Sequence, residues 1–551
     1  MPRLLVARFA ALISALALVA GCQIENPPSA SRDGLAPDPA IPAYASLPDG
    51  VDLDAPFEAL FCPDDPVITL ELALIDRVRE QRAVDPGEFD EGTNPYRIRY
   101  AVYNLRNADV VERLAAAHHE GVDVQVMMES DQLDPARDWN WADEALIDEG
   151  FEYADDHWDL DEEGRATADL IGIVDSGLMH LKVRLFETPA GVTLLSGSMN
   201  PGDNAVHNDE TLHLINEPAL VERYVAAYEA VLADTPLHNE WDEAAAANVL
   251  FTPVGSGDEP GQRILQWLSV EDELILLMVY SLRDISAPGF GDSLVDVVAE
   301  RVNAGVPVLA ITDRKQTDGY WDTTEDELRA AGATVWEVTN HTTPYTAMHH
   351  KVAVLGMDDI RVITDASNWT KAGLGSASDD ASNVESILFL DTTALDGGRT
   401  GRRYLGQFVH VLARYADQLE DDGEPGYDVI YNALVANPGW PGQDVEFAAD
   451  EAHTIWGETI YARGDRLELG VWGFEGPGVP LTTDSDSYPS WSTWEPVTIP
   501  LGTPFEWKFV ATHEDTGDTR WEAGGNHRDL AQPPALIAED SLRLREAWRS
   551  W

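Results

Sequence analysis

Met179-His180-Leu181-Lys182 opens a run that continues through Gly197-Ser198-Met199-Asn200 to Asn208-Asp209-Glu210. Met348-His349-His350-Lys351 opens a second run, through Asp365-Ala366-Ser367-Asn368 to Asn383-Val384-Glu385. His-x-Lys, a serine with an asparagine, and Asn-x-Glu thus recur in one order, with Ser198 and Ser367 read as counterparts. From Leu178 to Leu185 apolar and polar residues mostly alternate, so a strand sets His180 and Lys182 on one face, and the same reasoning puts His349 and Lys351 together. Each strand is followed by a second, Val192 to Leu195 or Arg361 to Ile363, and a tight turn then presents Asn200 or Asn368 near the His and Lys. A single His-x-Lys arises easily by chance; two copies in register inside a repeat do not. The two runs read as halves of one active site.

The chain around them repeats too. Phe61-Cys62-Pro63 is echoed by Phe251-Thr252-Pro253, and Val102-Tyr103-Asn104-Leu105-Arg106 by Val279-Tyr280-Ser281-Leu282-Arg283. Gly121-Val122-Asp123-Val124 returns as Gly305-Val306-Pro307-Val308, and Leu146 and Gly150 match Leu328 and Gly332. Apolar spacing predicts a helix over Ile68 to Gln81, a strand over Ile98 to Tyr103, a helix over Ala108 to His119 and a strand over Val122 to Met127. Duplication with βα alternation predicts an α/β fold of two halves about a pseudo-twofold axis, residues 51–240 and 241–420, each contributing one motif.

The constellation resembles the phospholipase D superfamily, whose members carry two His-x-Lys motifs that meet between two similar halves; the resemblance covers roughly Phe57 to Leu419. Cleaving a phosphodiester takes an in-line nucleophile, an acid for the departing alcohol, and cations or amide donors around the phosphoryl oxygens. The resemblance implies that one histidine attacks phosphorus to form a phosphohistidine while the other protonates the leaving group and later activates water. By that resemblance His180 is the nucleophile and His349 the acid. It further implies that Lys182, Lys351, Asn200 and Asn368 hold the phosphoryl oxygens, that Glu210 and Glu385 each bind a histidine and set its tautomer and charge, and that no metal or cofactor is needed. The family's aspartate five residues after the motif lysine is replaced here by Glu187 and Gly356, with Asp358 and Asp359 slightly late.

Composition bounds the rest. A chain of 551 residues with 44% apolar content has room for two or three packed domains. Its 98 acidic against 36 basic residues give a formal charge of −62, which repels nucleic acid and acidic membranes. The only lysines are Lys182, Lys315, Lys351, Lys371 and Lys508, and both His-x-Lys motifs keep one of them. At the start, Arg3 and Arg8 lead into an apolar stretch from Phe9 to Val19 that is too short to span a bilayer. Val19-Ala20-Gly21-Cys22 resembles the lipobox of bacterial lipoproteins, which implies a signal peptide over 1–21 and acylation of Cys22, with Gln23 favouring the outer membrane. Residues 22–50 then read as an acylated flexible tether. With Cys22 acylated, only Cys62 remains, so no intrachain disulfide is expected.

Beyond a helical stretch from Gly401 to Leu419, residues 421–443 read as a linker and the remainder as a small all-β immunoglobulin-like sandwich. Its β-like runs are Ile460 to Arg463, Glu468 to Trp472, Trp494 to Ile499 and Phe505 to Ala511, followed by a tail from 535 holding a helix over Ser541 to Trp548. Ile455-Trp456-Gly457-Glu458-Thr459-Ile460-Tyr461, Leu469-Gly470-Val471-Trp472, Tyr488-Pro489-Ser490-Trp491, Phe505-Glu506-Trp507-Lys508-Phe509 and Trp521-Glu522-Ala523-Gly524-Gly525-Asn526 together resemble the family-20 starch-binding module, over 444–534. Sugar rings stack their apolar faces on exposed aromatics. The resemblance implies a main site of Trp472 and Trp521 with Lys508 and Asn526 as hydrogen-bonding partners, and a second site at Trp456 and Tyr488. Trp494 and Trp507 are candidates for the core instead.

Together these readings describe a phosphoric diester hydrolase of phospholipase D type, lipid-anchored in the cell envelope or extracellular, with phospholipid as default substrate and starch or glycogen-like α-glucan as a second partner. A phosphorylated or lipid-linked glycan accounts better for the sugar-binding module. The alternatives are an endonuclease of the same superfamily, which the acidic surface disfavours, and a non-catalytic glucan-binding surface lipoprotein.

Overall fold

The computed structural model describes residues 53, 55–85, 87–89, 93–133, 141–154, 168–173, 177–317, 323–375, 382–421, 427–437, 439–537 and 540–550. The expected signal peptide, the tether and Cys22 lie outside the described residues. Among the described residues no helix is long and apolar enough to cross a membrane. The chain divides into two compact units, one running to 355 and including 361–391, the other made of 356–360 and 392–551.

The first unit is built twice from one plan. Its first half has β1 (Phe57–Cys62), β2 (Arg97–Val102), β3 (Asp123–Glu129), β4 (Tyr153–Ala154), β5 (Leu170–Ile173), β6 (Lys182–Thr188), β7 (Gly191–Gly197) and β8 (Glu210–Ile215) in the order β1-β8-β7-β6-β2-β3-β5-β4. A short parallel pair follows, β9 (Leu237–Asn239) with β11 (Val254–Gly257), and β10 (Ala247–Thr252) begins the second sheet. That sheet continues with β12 (Ile275–Val279), β13 (Val308–Asp313), β14 (Thr334–Val338), β15 (Lys351–Leu355), β16 (Arg361–Asp365) and β17 (Glu385–Asp391), ordered β10-β17-β16-β15-β12-β13-β14. The two orders superimpose strand for strand, except that β5 is inserted between β3 and β4 in the first half.

Register repeats as well as order. Val102 lies opposite Lys182 and Val279 opposite Lys351, while Cys62 lies opposite Glu210 and Thr252 opposite Glu385. The expected helices occur as Val67–Val84 and Ala108–His119, the latter capped by Asn107, whose side chain accepts the Val110 N–H at 3.1 Å. Its counterpart Leu294–Ala304 starts with a capping box formed by Ser293 and Asp296. Both helices run into a left-handed glycine, Gly121 and Gly305, ahead of the next strand. Strands such as Ile275–Val279 are buried on both faces, as sheets covered by helices require, and the second half's core gathers Leu250, Leu265, Leu277, Val298, Ile363 and Phe389.

Among the described residues of the second unit, nine strands form the C-terminal β domain: β18 (Gly442–Asp450), β19 (Glu458–Gly464), β20 (Val479–Thr482), β21 (Trp491–Thr493), β22 (Val497–Pro500), β23 (Pro504–His513), β24 (Thr519–Trp521), β25 (His527–Leu530) and β26 (Leu542–Ala547). Inward residues of alternating strands, including Phe447, Ile460, Leu481, Phe505, Trp507 and Phe509, fill one core. All pairs are antiparallel except β18 with β26. The helix expected over Ser541 to Trp548 is therefore a strand: Leu542 and Leu544 alternate with Arg543 and Arg545, a period of two, and the run ends in the buried Trp548. Glu468 to Trp472 is likewise not a strand but two tight turns, around the left-handed Gly470. Residues 392–435 group with this unit. The helix Arg399–Arg414 donates from Arg403 to the Pro533 carbonyl at 2.6 Å, and a helix over Tyr427–Val435 places Tyr431 Oη 2.7 Å from Thr503 Oγ1.

Candidate active site and glucan-binding site

The two His-x-Lys runs meet where the halves of the first unit join. His180 and His349 stand two residues ahead of β6 and β15, not within them, in stretches that make single parallel bridges to the opposite half: Met179 with Val384, and Met348 with Asp209. The His180 N–H donates to the Val384 carbonyl at 2.9 Å and the His349 N–H to the Asp209 carbonyl at 3.0 Å. Gly177 marks how closely the chains approach, because a Cβ there would lie 2.2 Å from the Ser382 carbonyl oxygen. His180, Lys182, Asn200, Glu210, His349, Lys351, Asn368 and Glu385 are all buried.

Each glutamate serves the histidine of the other half. His180 Nδ1 lies 2.7 Å from Glu385, and His349 Nδ1 lies 2.8 Å from both oxygens of Glu210. The Asn-x-Glu spacing has a use here: Asn208 Nδ2 donates to Glu210 at 3.0 Å and Asn383 Nδ2 to Glu385 at 3.1 Å. The same asparagines accept from the main chain ahead of the opposite histidine, Asn208 from Ala347 at 2.9 Å and Asn383 from Leu178 at 3.0 Å. Lys182 Nζ donates to the His180 carbonyl at 2.8 Å and Lys351 Nζ to the His349 carbonyl at 2.9 Å. Asn200 Oδ1 and Asn368 Oδ1 are buried without a hydrogen-bond partner among the described residues.

One pairing of the sequence reading is corrected. Counted back from the asparagines, Ala366, not Ser367, is the counterpart of Ser198. Ser198 Oγ donates to Glu210 at 2.5 Å, whereas Ser367 Oγ donates to the Asn368 and Gly373 carbonyls at 3.0 Å each. The two carboxylates consequently differ. Burial acts to raise Glu210's pKa, but the charges of His349 and Lys351 and the hydrogen bonds from His349 and Ser198 bring it below the ordinary carboxylate range. Burial pushes Glu385 up to about 8, opposed only in part by Lys182, Asn383 and Lys351.

Residues the motif reading passed over also line the site. Tyr103 and Tyr280, equivalent in the repeat, set their rings 5.4 Å and 4.5 Å from the rings of His180 and His349. Their shared place in the Val-Tyr echo was the available signal. Asp365 had none, since its counterpart is Gly197; both adopt a left-handed backbone, with φ of 103° and 154°. The Asp365 carboxyl accepts from Ser196 at 2.8 Å and Tyr224 at 2.6 Å, both in the first half, and burial raises its pKa. Glu187, at the place of the family's usual aspartate, pairs instead with Arg99. Among the described residues no group of three or more His, Cys, Asp or Glu is arranged to hold a metal ion.

In the second unit, Trp472 and Trp521 lie with ring centroids 6.2 Å apart and planes tilted by 55°. Lys508 Nζ donates to the Gly524 carbonyl at 2.6 Å, and Asn526 to Glu506 at 2.8 Å. Trp456 is 99% exposed, and the Tyr488 hydroxyl sits 3.2 Å from the Thr454 nitrogen, beside the loop that carries Trp456. Trp507 is core, 1% exposed, with its indole N–H on Asp529; Trp494 is 81% exposed and is not a core residue.

Residues 93–232 match the model described as "Cardiolipin synthase, PLD-like domain", and residues 443–534 the one described as "Starch binding domain". The chain carries a phospholipase D-like domain and a starch-binding domain. An alpha-amylase of Streptomyces violaceus is 37% identical over 95 residues, which are 17% of this chain and 15% of that enzyme, so the chain spans about a seventh of that relative. The solved family-20 module of the maltotetraose-forming amylase from Pseudomonas saccharophila is 28% identical, covering 19% of this chain and 98% of that one with a TM-score of 0.16. Nuc from Salmonella typhimurium, a phospholipase D family member, is 18% identical, covering 29% of this chain and 90% of that one with a TM-score of 0.23.

Proposed function

We propose that the first unit is a phospholipase D-type phosphodiesterase acting through a phosphohistidine, and that the second unit holds it on starch or a glycogen-like α-glucan. The observation that carries this reading is the exchanged pairing of His180 with Glu385 and His349 with Glu210, which makes each half chemically incomplete alone. A carboxyl group on Nδ1 leaves Nε2 as the reacting nitrogen of both rings. Nε2 of His180 attacks phosphorus as the P–O bond to the leaving alcohol breaks, and that oxygen takes the proton from His349. Water then gives a proton to His349 and its oxygen to phosphorus, breaking the P–N bond and restoring His180. Lys182, Lys351 and the amides of Asn200 and Asn368 neutralise the phosphoryl oxygens; rotating each amide by half a turn exchanges the unpartnered Oδ1 for the donor Nδ2.

The substrate class is a phosphodiester of the phospholipid kind, supported by the cardiolipin synthase description of the matched domain. A lipid anchor at Cys22 in the cell envelope rests on the sequence Val19-Ala20-Gly21-Cys22. Trp472, Trp521, Lys508 and Asn526 form the main glucan site and Trp456 with Tyr488 the second. The test is a panel of phosphatidylcholine, phosphatidylglycerol, DNA and a chromogenic diester, run with wild type, His180→Ala and His349→Ala, beside sedimentation with insoluble starch. Turnover of a phospholipid that both variants abolish is expected. Starch sedimentation without turnover of any diester refutes the catalytic reading.

A further inference from the structure

In each half the third strand ends in a buried carboxylate that the proposed chemistry does not use. Glu129 closes β3 and Asp313 closes β13, and the strand registers make them equivalent: Ala101 lies opposite Met127, two before Glu129, as its counterpart Met278 lies opposite Ile311, two before Asp313. Glu129 Oε2 accepts the Met179 N–H at 2.6 Å, and Asp313 Oδ2 accepts the Met348 N–H at 3.0 Å. The second oxygen of each accepts a main-chain N–H two residues on, from Asp131 at 3.5 Å and from Lys315 at 3.0 Å. Met179 and Met348 are the residues immediately before His180 and His349.

Each histidine is thereby tied on two sides. Its own N–H is bound by a main-chain carbonyl of the opposite half, while the preceding N–H is bound by a carboxylate of its own half. A buried carboxylate is costly unless donors satisfy it, and one donor to each is a peptide N–H of the histidine-bearing stretch itself. Glutamate and aspartate differ by one methylene, yet reach the same peptide in the two halves.

We propose that Glu129 and Asp313 are positioning residues: each anchors to its own half the peptide that carries a reacting histidine, so that the two imidazoles converge from opposite halves onto one phosphorus. This rests on the phosphodiesterase reading of the site. A displacement of about 1 Å at a reacting group can cost on the order of 100-fold in rate, so Glu129→Ala and Asp313→Ala should each lower kcat about 10- to 100-fold with KM changed less than about twofold. Glu129→Gln and Asp313→Asn keep a carbonyl oxygen that accepts the same N–H and should stay within about threefold of wild type. Bis(p-nitrophenyl) phosphate is the probe for turnover. Amide hydrogen exchange over 177–182 and 347–351 is read in parallel. It should quicken about tenfold in the alanine variants and match wild type in the amide variants. Alanine variants with wild-type kcat and exchange overturn the proposal, as do amide variants as slow as the alanine ones. A wild type that turns over no diester refutes the reading of the site instead, and the exchange measurements still decide the anchors.

Discussion

Replacing Ser198 by alanine probes the asymmetry between the halves. The Ser198 hydroxyl gives the buried Glu210 a 2.5 Å hydrogen bond for which the second half has no equivalent, because Ala366 stands there. A hydrogen bond to a charged buried group contributes about 1.5–3 kcal/mol, so Ser198→Ala should raise the pKa of the Glu210 carboxyl. Glu210's pKa is lowered in the folded protein, so its stabilisation is present above the unfolded value of about 4.3 and is lost as pH falls through the folded value. The deficit of Ser198→Ala must therefore be full at pH 7 and fade as pH falls through the folded value. With an unfolding entropy of about 2 cal/mol/K per residue, the first unit's transition should move down by about 2–4 °C at pH 7. Differential scanning calorimetry reads this, with the second unit's transition as internal reference. Ser367→Ala is the control, since its hydroxyl binds main-chain carbonyls and its loss, about 1 kcal/mol, should not vary with pH. A Ser198→Ala deficit that is absent at pH 7, or that does not shrink as pH falls through the folded value, refutes the reasoning.

Glu385 gives the opposite sign. Burial raises it to about 8, so it favours the folded state fully only below the unfolded pKa and loses that advantage as pH rises towards 8. Glu385→Gln should consequently gain melting temperature relative to wild type between pH 5 and pH 9, while kcat falls on the order of 100-fold as His180 loses its titratable carboxyl partner; parallel melting curves at both pH values would contradict this. Asn200→Ala and Asn368→Ala should each reduce kcat on the order of 100-fold with the melting temperature nearly kept, because the unpartnered amide oxygens contribute no hydrogen bond to the fold; steady-state kinetics beside calorimetry separates the two effects. In the starch-binding domain, Trp521→Ala should weaken binding to soluble amylose about fivefold or more, an aromatic face contributing on the order of 1 kcal/mol or more, with the melting temperature little changed. Trp507→Ala should instead destabilise that unit by about 3–5 kcal/mol, as loss of a core aromatic does.

Fold class and the identity of the motif residues were legible in the chain because both depend on local order. A duplicated βα pattern repeats at fixed spacing, and residue types suited to phosphoryl chemistry recur at the same places in each copy. His180, Lys182, Asn200, Glu210 and their second-half equivalents needed no coordinates to be singled out. Where local pattern was ambiguous it misled. Leu542 to Ala547 is a strand whose partner β18 lies almost a hundred residues earlier, and Glu468 to Trp472 turns because Gly470 takes a left-handed backbone. Pairing between distant segments settles such cases, and apolar spacing in a short run cannot.

By itself, then, the sequence determined that two motif sets exist, that each sits on an α/β half, and that an aromatic-rich β domain follows. Only the tertiary structure decided which glutamate serves which histidine. Spacing along the chain places Glu210 after His180 in one copy, but the carboxylate it offers goes to His349, because the halves join edge to edge through Met179 with Val384 and Asp209 with Met348. The same packing separated Ser198 from Ser367, brought Asp365 under the hydroxyls of Ser196 and Tyr224, and set Glu129 and Asp313 on the peptides before the histidines. Hydrogen bonds of this kind form only when residues separated in the chain are brought to within about 3 Å of each other, inside one half for Glu129 with Met179 and between the halves for His349 with Glu210.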